Sequence, residues 1–255
     1  MRFLFLGMSL LFLIPNFFNL PIEKKPVYNK VELFDTSLMF LQSVDKLVSF
    51  ADSTAHTLSI RQFTPEYGIH VANIIKKRFY HGFSSFNFRE NWIAATLHLA
   101  VGKSLAYPVY PEDILQHPFA GCSQQVIVLM AAMKKKEIPF RRIGFPHHYA
   151  VELFFDRKWY FFDPDMEPKM KALERVENRW NRSVDSLKKF YAINSGLLNW
   201  GFGTGRTVDV GLTNAEPAPN ALIFQKGAKL LSKTLWMFPF LFAVAPRRKK
   251  KVLRR

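Results

Sequence analysis

The hydrophobic pattern changes period along this chain. Helical spacing dominates up to Lys136, and short aromatic and β-branched runs follow. Asp35-Thr36-Ser37 precedes apolar Leu38, Leu41, Val44 and Val48, which predicts a capped amphipathic helix. Thr64-Pro65-Glu66 combines a cap, a first-turn proline and an early acid, and Val71, Ile74, Ile75 and Phe79 continue the helix it starts. A third helix is predicted from Trp92 to about Val101, and a fourth from Gly121 to Lys136 with Val126, Met130 and Met133 inward. The basic end of that fourth helix, Lys134-Lys135-Lys136, suits the negative pole of a helix dipole.

Beyond it, Ile138 to Gly144 reads as a strand. Tyr149 to Phe155 and Trp159 to Asp163 flank Asp156-Arg157-Lys158 as a hairpin. Past Pro164 two more helices are expected, one from Lys169 to Asn178 and one capped by Ser183. Gly201-Phe202-Gly203-Thr204-Gly205 lacks the Gly-Lys-Ser/Thr ending of a phosphate loop and reads as an ordinary loop. Helices followed by a helix feeding antiparallel strands predict an α+β domain over residues 30–220.

Both ends are apolar. Residues 1–21 have a charged start and the run Phe3 to Ile14, the format of a signal peptide, but no small-x-small cleavage site follows. An uncleaved signal-anchor is therefore favoured over a cleaved signal peptide. In residues 221–255 the run Thr234 to Ala245 is too short to span alone. Lys226, Lys229 and Lys233 share one helical face ahead of it, so residues 222–246 are expected to tilt across a bilayer or lie in its interface.

Composition sharpens this picture. At 49% hydrophobic and 15% aromatic, with 26 phenylalanines, the chain is too apolar for disorder. Its net charge is +16, and seven basic residues with no acid occupy the last nine positions. A basic tail beside an apolar run points to anionic lipid and a cytoplasmic tail, with the folded domain on the extracytoplasmic side, rather than to nucleic acid. Nothing indicates oligomeric state.

The only cysteine, Cys122, excludes an intramolecular disulfide and a Cys-based zinc site, and no cofactor motif is visible. It lies just after Gly121 at a predicted helix start, where the dipole favours thiolate and glycine leaves room for a close substrate backbone. A thiolate needs a base that holds and returns a proton, and that base needs an orienting group. His148 opens one hairpin strand and Asp163 closes the next, so antiparallel pairing brings them side by side. An oxyanion hole needs donors beyond the Cys122 amide. Gln116, six residues upstream, is the candidate.

These elements, Gly121-Cys122, Ile138-Pro139-Phe140-Arg141, His148-Tyr149-Ala150-Val151-Glu152 and Trp159-Tyr160-Phe161-Phe162-Asp163-Pro164, resemble the core of the transglutaminase-like superfamily. That family shows a Gly-x-Cys or Gly-Cys helix start, then Gly-Ile-Pro-x-Arg, His-x-x-Val-Glu and Trp-x-x-x-Asp-Pro strands. Here Glu137 replaces the glycine, and Ser123-Gln124-Gln125 stands where many members carry an acid or an aromatic. Register with Val151-Glu152 favours His148 over His147. The resemblance implies a papain-like core, with a Cys-bearing helix packed on an antiparallel sheet and a helical N-terminal half. It also implies a Cys122–His148–Asp163 triad that hydrolyses or transfers acyl groups of peptide or protein substrates through a thioester. The rival expectation is an inactive membrane scaffold of the same fold.

Overall fold

The computed structural model describes residues 1–29, 32–102, 104–177, 183–192, 194–205 and 208–245. In chain order they form helices α1 (Arg2–Leu13), α2 (Val44–Thr57) and α3 (Pro65–Arg78), strand β1 (Tyr80–His81), helices α4 (Phe88–Val101) and α5 (Pro111–Ile114), strand β2 (Phe119–Ala120) and helix α6 (Cys122–Lys135). Strands β3 (Phe140–Gly144), β4 (Tyr149–Phe155), β5 (Lys158–Phe162) and β6 (Asp209–Val210) follow, with helices at Val184–Lys188, Ser195–Phe202, Pro219–Thr234 and Met237–Val244. The chain is α+β, as expected.

Two compact units emerge: Lys25–Ser84 with Pro108–Pro219, and Met1–Lys24 with Ser85–Tyr107 and Asn220–Arg255. Residues 85–107 thus group by contact with the two ends of the chain. No local sequence signal marks their association with the two ends, because it rests on contacts between segments far apart in the chain.

The first unit is built around α6. This helix buries Cys122, Gln124 through Met130, Ala132 and Met133, so it is covered nearly all round. It packs on β3 and β4 and on α2, α3 and α5. The sheet order is β5-β4-β3-β6, antiparallel throughout, with Val151 opposite Phe162 and Gly144 opposite Tyr149. Leu47, Ile75, Leu129, Met133, Leu153 and Phe162 are among the fully enclosed residues of the core between helices and sheet. Helix α3 starts as predicted, with Thr64 accepting from the Tyr67 amide and Pro65 in the first turn. The β4–β5 turn places both Asp156 (φ 45°) and Arg157 (φ 61°) in the left-handed region, which matches the twist of a two-residue hairpin without the usual glycine.

Two expectations shift. Asp35 caps only a 3-10 turn, Thr36–Phe40, and the α-helix begins at Val44 behind a second cap, Ser43. The helix predicted from Lys169 is instead a single 3-10 turn, Ala172–Arg175; Asn178, its expected end, lies outside the described residues. The cause is Arg175. Its buried guanidinium donates to the carbonyls of Phe161, Pro168 and Met170, which holds the chain in an irregular path around it.

In the other unit α1 packs on Met237–Val244, and α4 packs on the 3-10 turn Ile14–Phe17. Trp92 stacks on Phe12 and donates to the Ser232 carbonyl. The small interior gathers Phe86, Ala94, Ala106 and Ala228. Phe3, Leu4, Leu11, Phe238, Leu241 and Phe242 remain exposed. Among the described residues no helix is long and apolar enough to cross a membrane. The segment expected to tilt across a bilayer is broken into two helices, Pro219–Thr234 and Met237–Val244. Lys233 bonds Asn16 and the Arg89 carbonyl, so this member of the expected lysine face is engaged within the unit.

Candidate active site

Cys122 is the first residue of α6 and is 7% exposed. Gln124 fixes this helix start. Its side-chain oxygen accepts from the amides of Gly121 (3.1 Å) and Ser84 (3.0 Å), and its nitrogen donates to the carbonyls of Ser84 and Pro108. The space that glycine leaves at position 121 is occupied by the Phe83 ring, which a Cβ would meet at 2.8 Å. Packing against Phe83 therefore favours glycine there, and the room expected for a substrate backbone is taken by that ring.

His148 precedes β4 directly and Asp163 follows β5 directly, so the paired strand ends set imidazole and carboxylate together. His148 Nε2 lies 2.8 Å from Asp163 Oδ2. The charge of Cys122 acts on the same imidazole and raises its pKa, and with Nε2 engaged by Asp163 the nitrogen left to face the thiol is Nδ1. Thus the structure brings Cys122, His148 and Asp163 together. His147, the rival imidazole, is exposed and stacks on Trp200 at 4.7 Å. Gln116 is also exposed, and its amide donates to the carbonyls of Gln42 (2.9 Å) and Glu112 (3.0 Å), leaving no donor for an oxyanion.

Electrostatics favour the ion pair. Burial alone would push the His148 pKa down, but Asp163 outweighs it by charge and hydrogen bond, and Cys122 adds to the effect, raising it to about 10. Burial would likewise raise Asp163, yet the charge and hydrogen bond of His148, the Tyr191 hydroxyl and the Met166 amide hold its carboxyl below the usual range. Tyr191 donates to Asp163 Oδ2 at 2.8 Å and the Met166 amide to Oδ1 at 3.2 Å. Beneath Asp163, Glu167 accepts from the Asp163 amide and pairs with Arg175 at 2.6 Å. Burial pushes Glu167 up to about 7, with Arg175 opposing the shift.

A second imidazole stands at this site. Strands β1 and β2 pair in parallel with His81 opposite Ala120, two residues before Cys122. His81 Nδ1 lies 3.0 and 3.1 Å from the two Asp165 oxygens, and Gln125 donates to Asp165 Oδ1 at 2.7 Å. Tyr191, Glu167, Arg175, His81, Asp165 and Gln125 all escape the sequence reading. The one visible hint is that Asp163-Pro164-Asp165 offers two carboxylates rather than one. In the same unit, Ser123 borders a pocket of about 570 Å³ walled by Val126, Ile127, Met130, Arg142 and Tyr149.

No protein-family model, curated protein or solved structure matches the chain.

Proposed function

We propose that the chain is a membrane-associated thiol enzyme of transglutaminase-like, papain-type architecture. In this reading it hydrolyses or transfers acyl groups at peptide or amide bonds. The observation that carries the proposal is one imidazole shared between a thiol at a helix N-terminus and a buried carboxylate, with His148 Nε2 at 2.8 Å from Asp163.

The Cys122 sulfur attacks the acyl carbon, and the C=O electron pair moves onto oxygen. As the tetrahedral intermediate collapses, the C–N bond breaks and His148 delivers a proton to the departing amine, leaving a thioester on Cys122. Water or a second amine then attacks this thioester, His148 takes the nucleophile's proton, and sulfur leaves. Asp163 keeps the imidazole in the tautomer that presents Nδ1 to sulfur. The pocket beside Ser123, mainly apolar in its walls, suits an apolar acyl side chain.

Membrane association rests on the exposed apolar residues of α1 and Met237–Val244 and on the basic tail. The expected sidedness, folded unit outside and tail in the cytoplasm, requires a crossing that none of the described helices makes alone. Insertion of the two apolar helices into one leaflet is therefore the proposed form of attachment, and reporter fusions at both termini test the side.

Iodoacetamide labelling across pH tests the chemistry. The proposal expects Cys122 to alkylate rapidly at neutral pH, and expects His148→Ala to remove that reactivity. Equal labelling profiles in the two proteins would show that the imidazole does not control the thiol.

A further inference from the structure

We infer that His81, anchored by Asp165 and Gln125, is a second catalytic residue of the thiol site: an imidazolium whose Nε2–H donates to the acyl oxygen while Cys122 attacks the carbon. The inference rests on the thiol-enzyme reading above and supplies what that reading lacks, an oxyanion donor beyond the Cys122 amide.

Four observations carry it. First, the β1–β2 ladder fixes the His81 backbone beside Ala120, and Ala120 leads through Gly121 into the thiol. Second, Nδ1 is engaged by both oxygens of Asp165, so Nε2–H is the donor that remains; no bond to it is found among the described residues. Third, Asp165 is buried, with 4% of its side chain exposed, and its anchor Gln125 lies one turn along α6 from Cys122. The same helix thus positions the sulfur and, through Gln125 and Asp165, the second imidazole. Gln125 also ties itself to the Ala120 carbonyl at 3.0 Å, closing a ring around the helix start. Fourth, 58% of the His81 side chain is open to solvent whereas Cys122 and His148 are buried. His81 is therefore the partner of the thiol that an arriving substrate can touch.

The charge is appropriate. The hydrogen bond and charge of Asp165 raise the His81 pKa to about 9 against the opposing effect of burial, and the charges of Cys122 and Glu32 raise it further. Asp165, Cys122 and Glu32 are the ionisable groups acting on it. At neutral pH His81 is then a cation next to the oxygen on which negative charge develops. In the step itself the S–C bond forms, the carbonyl π pair becomes the oxyanion lone pair, and His81 keeps its proton throughout. When the intermediate collapses the pair returns to C=O, and the leaving group departs with the proton from His148.

Two reactions of the same sulfur separate this role from a structural one. Iodoacetamide alkylation is a displacement at saturated carbon and forms no oxyanion, whereas acylation by p-nitrophenyl acetate forms one. In the full chain, His81→Ala is expected to lower the single-turnover acylation rate about 100-fold. Its alkylation rate on the high-pH plateau is expected to stay within about twofold, because thiolate is then fully formed in both proteins. His81→Gln, which restores a neutral donor, should recover part of the acylation. Asp165→Asn, a milder change, should move the alkaline fall of acylation from near pH 9 to lower pH. Acylation unchanged in His81→Ala, or acylation and plateau alkylation falling together, would overturn the inference. So would a wild-type thiol that alkylates as a thiolate yet resists the ester, although the Cys122–His148 pair would stand. Loss of the His148→Ala effect on alkylation instead removes the underlying enzyme reading.

Discussion

Two carboxylates on one turn, Asp163 and Asp165, each hold an imidazole, and both imidazoles respond to Cys122. Their surroundings differ. His148 is 3% exposed and rests against Phe145 and Phe202, while its carboxylate takes further hydrogen bonds from Tyr191 and the Met166 amide. His81 is largely open, and its carboxylate is steadied by one amide from Gln125. A buried imidazole can exchange a proton with a neighbouring sulfur without competition from water, which suits a base. Both imidazoles are held charged by their carboxylates, but only the open one can meet an incoming group, which suits a fixed donor. The same pair of side chains is thus directed to two proposed tasks by burial.

The same substitution at the two carboxylates breaks this comparison most directly. Asp163→Asn is expected to lower kcat by about 10⁴-fold, since an amide presents the wrong partner to His148 and loses the tautomer. Asp165→Asn should cost about tenfold to a hundredfold at neutral pH, measured on the same ester. Equal losses would mean the two dyads are not functionally distinct. Asp163→Asn also carries a stability signature. Because the folded pKa of His148 is raised from 6.5 to about 10, its contribution to stability is fully present below pH 6.5 and fades as pH rises toward 10. Because that of Asp163 is lowered from 3.8, its contribution is present above pH 3.8 and fades as pH falls through the depressed value. Urea unfolding should therefore show the widest gap between wild type and Asp163→Asn between about pH 4 and 6.5, narrowing on either side.

The support beneath the buried dyad should have the next largest effect. Arg175→Met leaves Glu167 without its cation, and about 3–5 kcal/mol of stability should be lost in urea unfolding. Adding Glu167→Leu should recover only the part due to the unpaired carboxylate, because the carbonyls of Phe161, Pro168 and Met170 still lack the guanidinium. A single variant as stable as wild type would show that this pair does not hold the turn bearing Asp163 and Asp165.

How much of this could be read beforehand depends on the kind of signal. The helix start at Thr64-Pro65, the Cys-bearing helix and the hairpin strands follow from caps and periodicity, and the order Cys122, His148, Asp163 on those elements was enough to anticipate one cluster. The network under Asp163 was not, because Arg175 and Glu167 look like surface charges in sequence and are buried only because main-chain carbonyls and each other satisfy them. His81 depends on a two-residue ladder too short to leave a period in the pattern. Spacing along the chain from Cys122 is all that points to Gln116, and its amide instead bonds Gln42 and Glu112.

Smaller substitutions sharpen the comparison further. Tyr191→Phe removes one of the two side-chain donors to Asp163 Oδ2 while leaving the ring packed against Phe202. A hydrogen bond to a charged acceptor contributes about 1.5–3 kcal/mol, so stability should fall by that amount, with activity reduced far less than in Asp163→Asn. The smallest effect is expected at His147, adjacent in sequence to the proposed base. Its ring lies exposed on Trp200, and no shift toward the thiol is needed to satisfy it, since its amide already donates to the Gly201 carbonyl at 3.0 Å. Removing the ring loses one surface stacking contact, so His147→Ala should cost about 0.5 kcal/mol and leave ester acylation within about twofold. If His147→Ala instead abolished acylation while His148→Ala retained it, the base would be the exposed imidazole, and burial would not be what separates the two dyads.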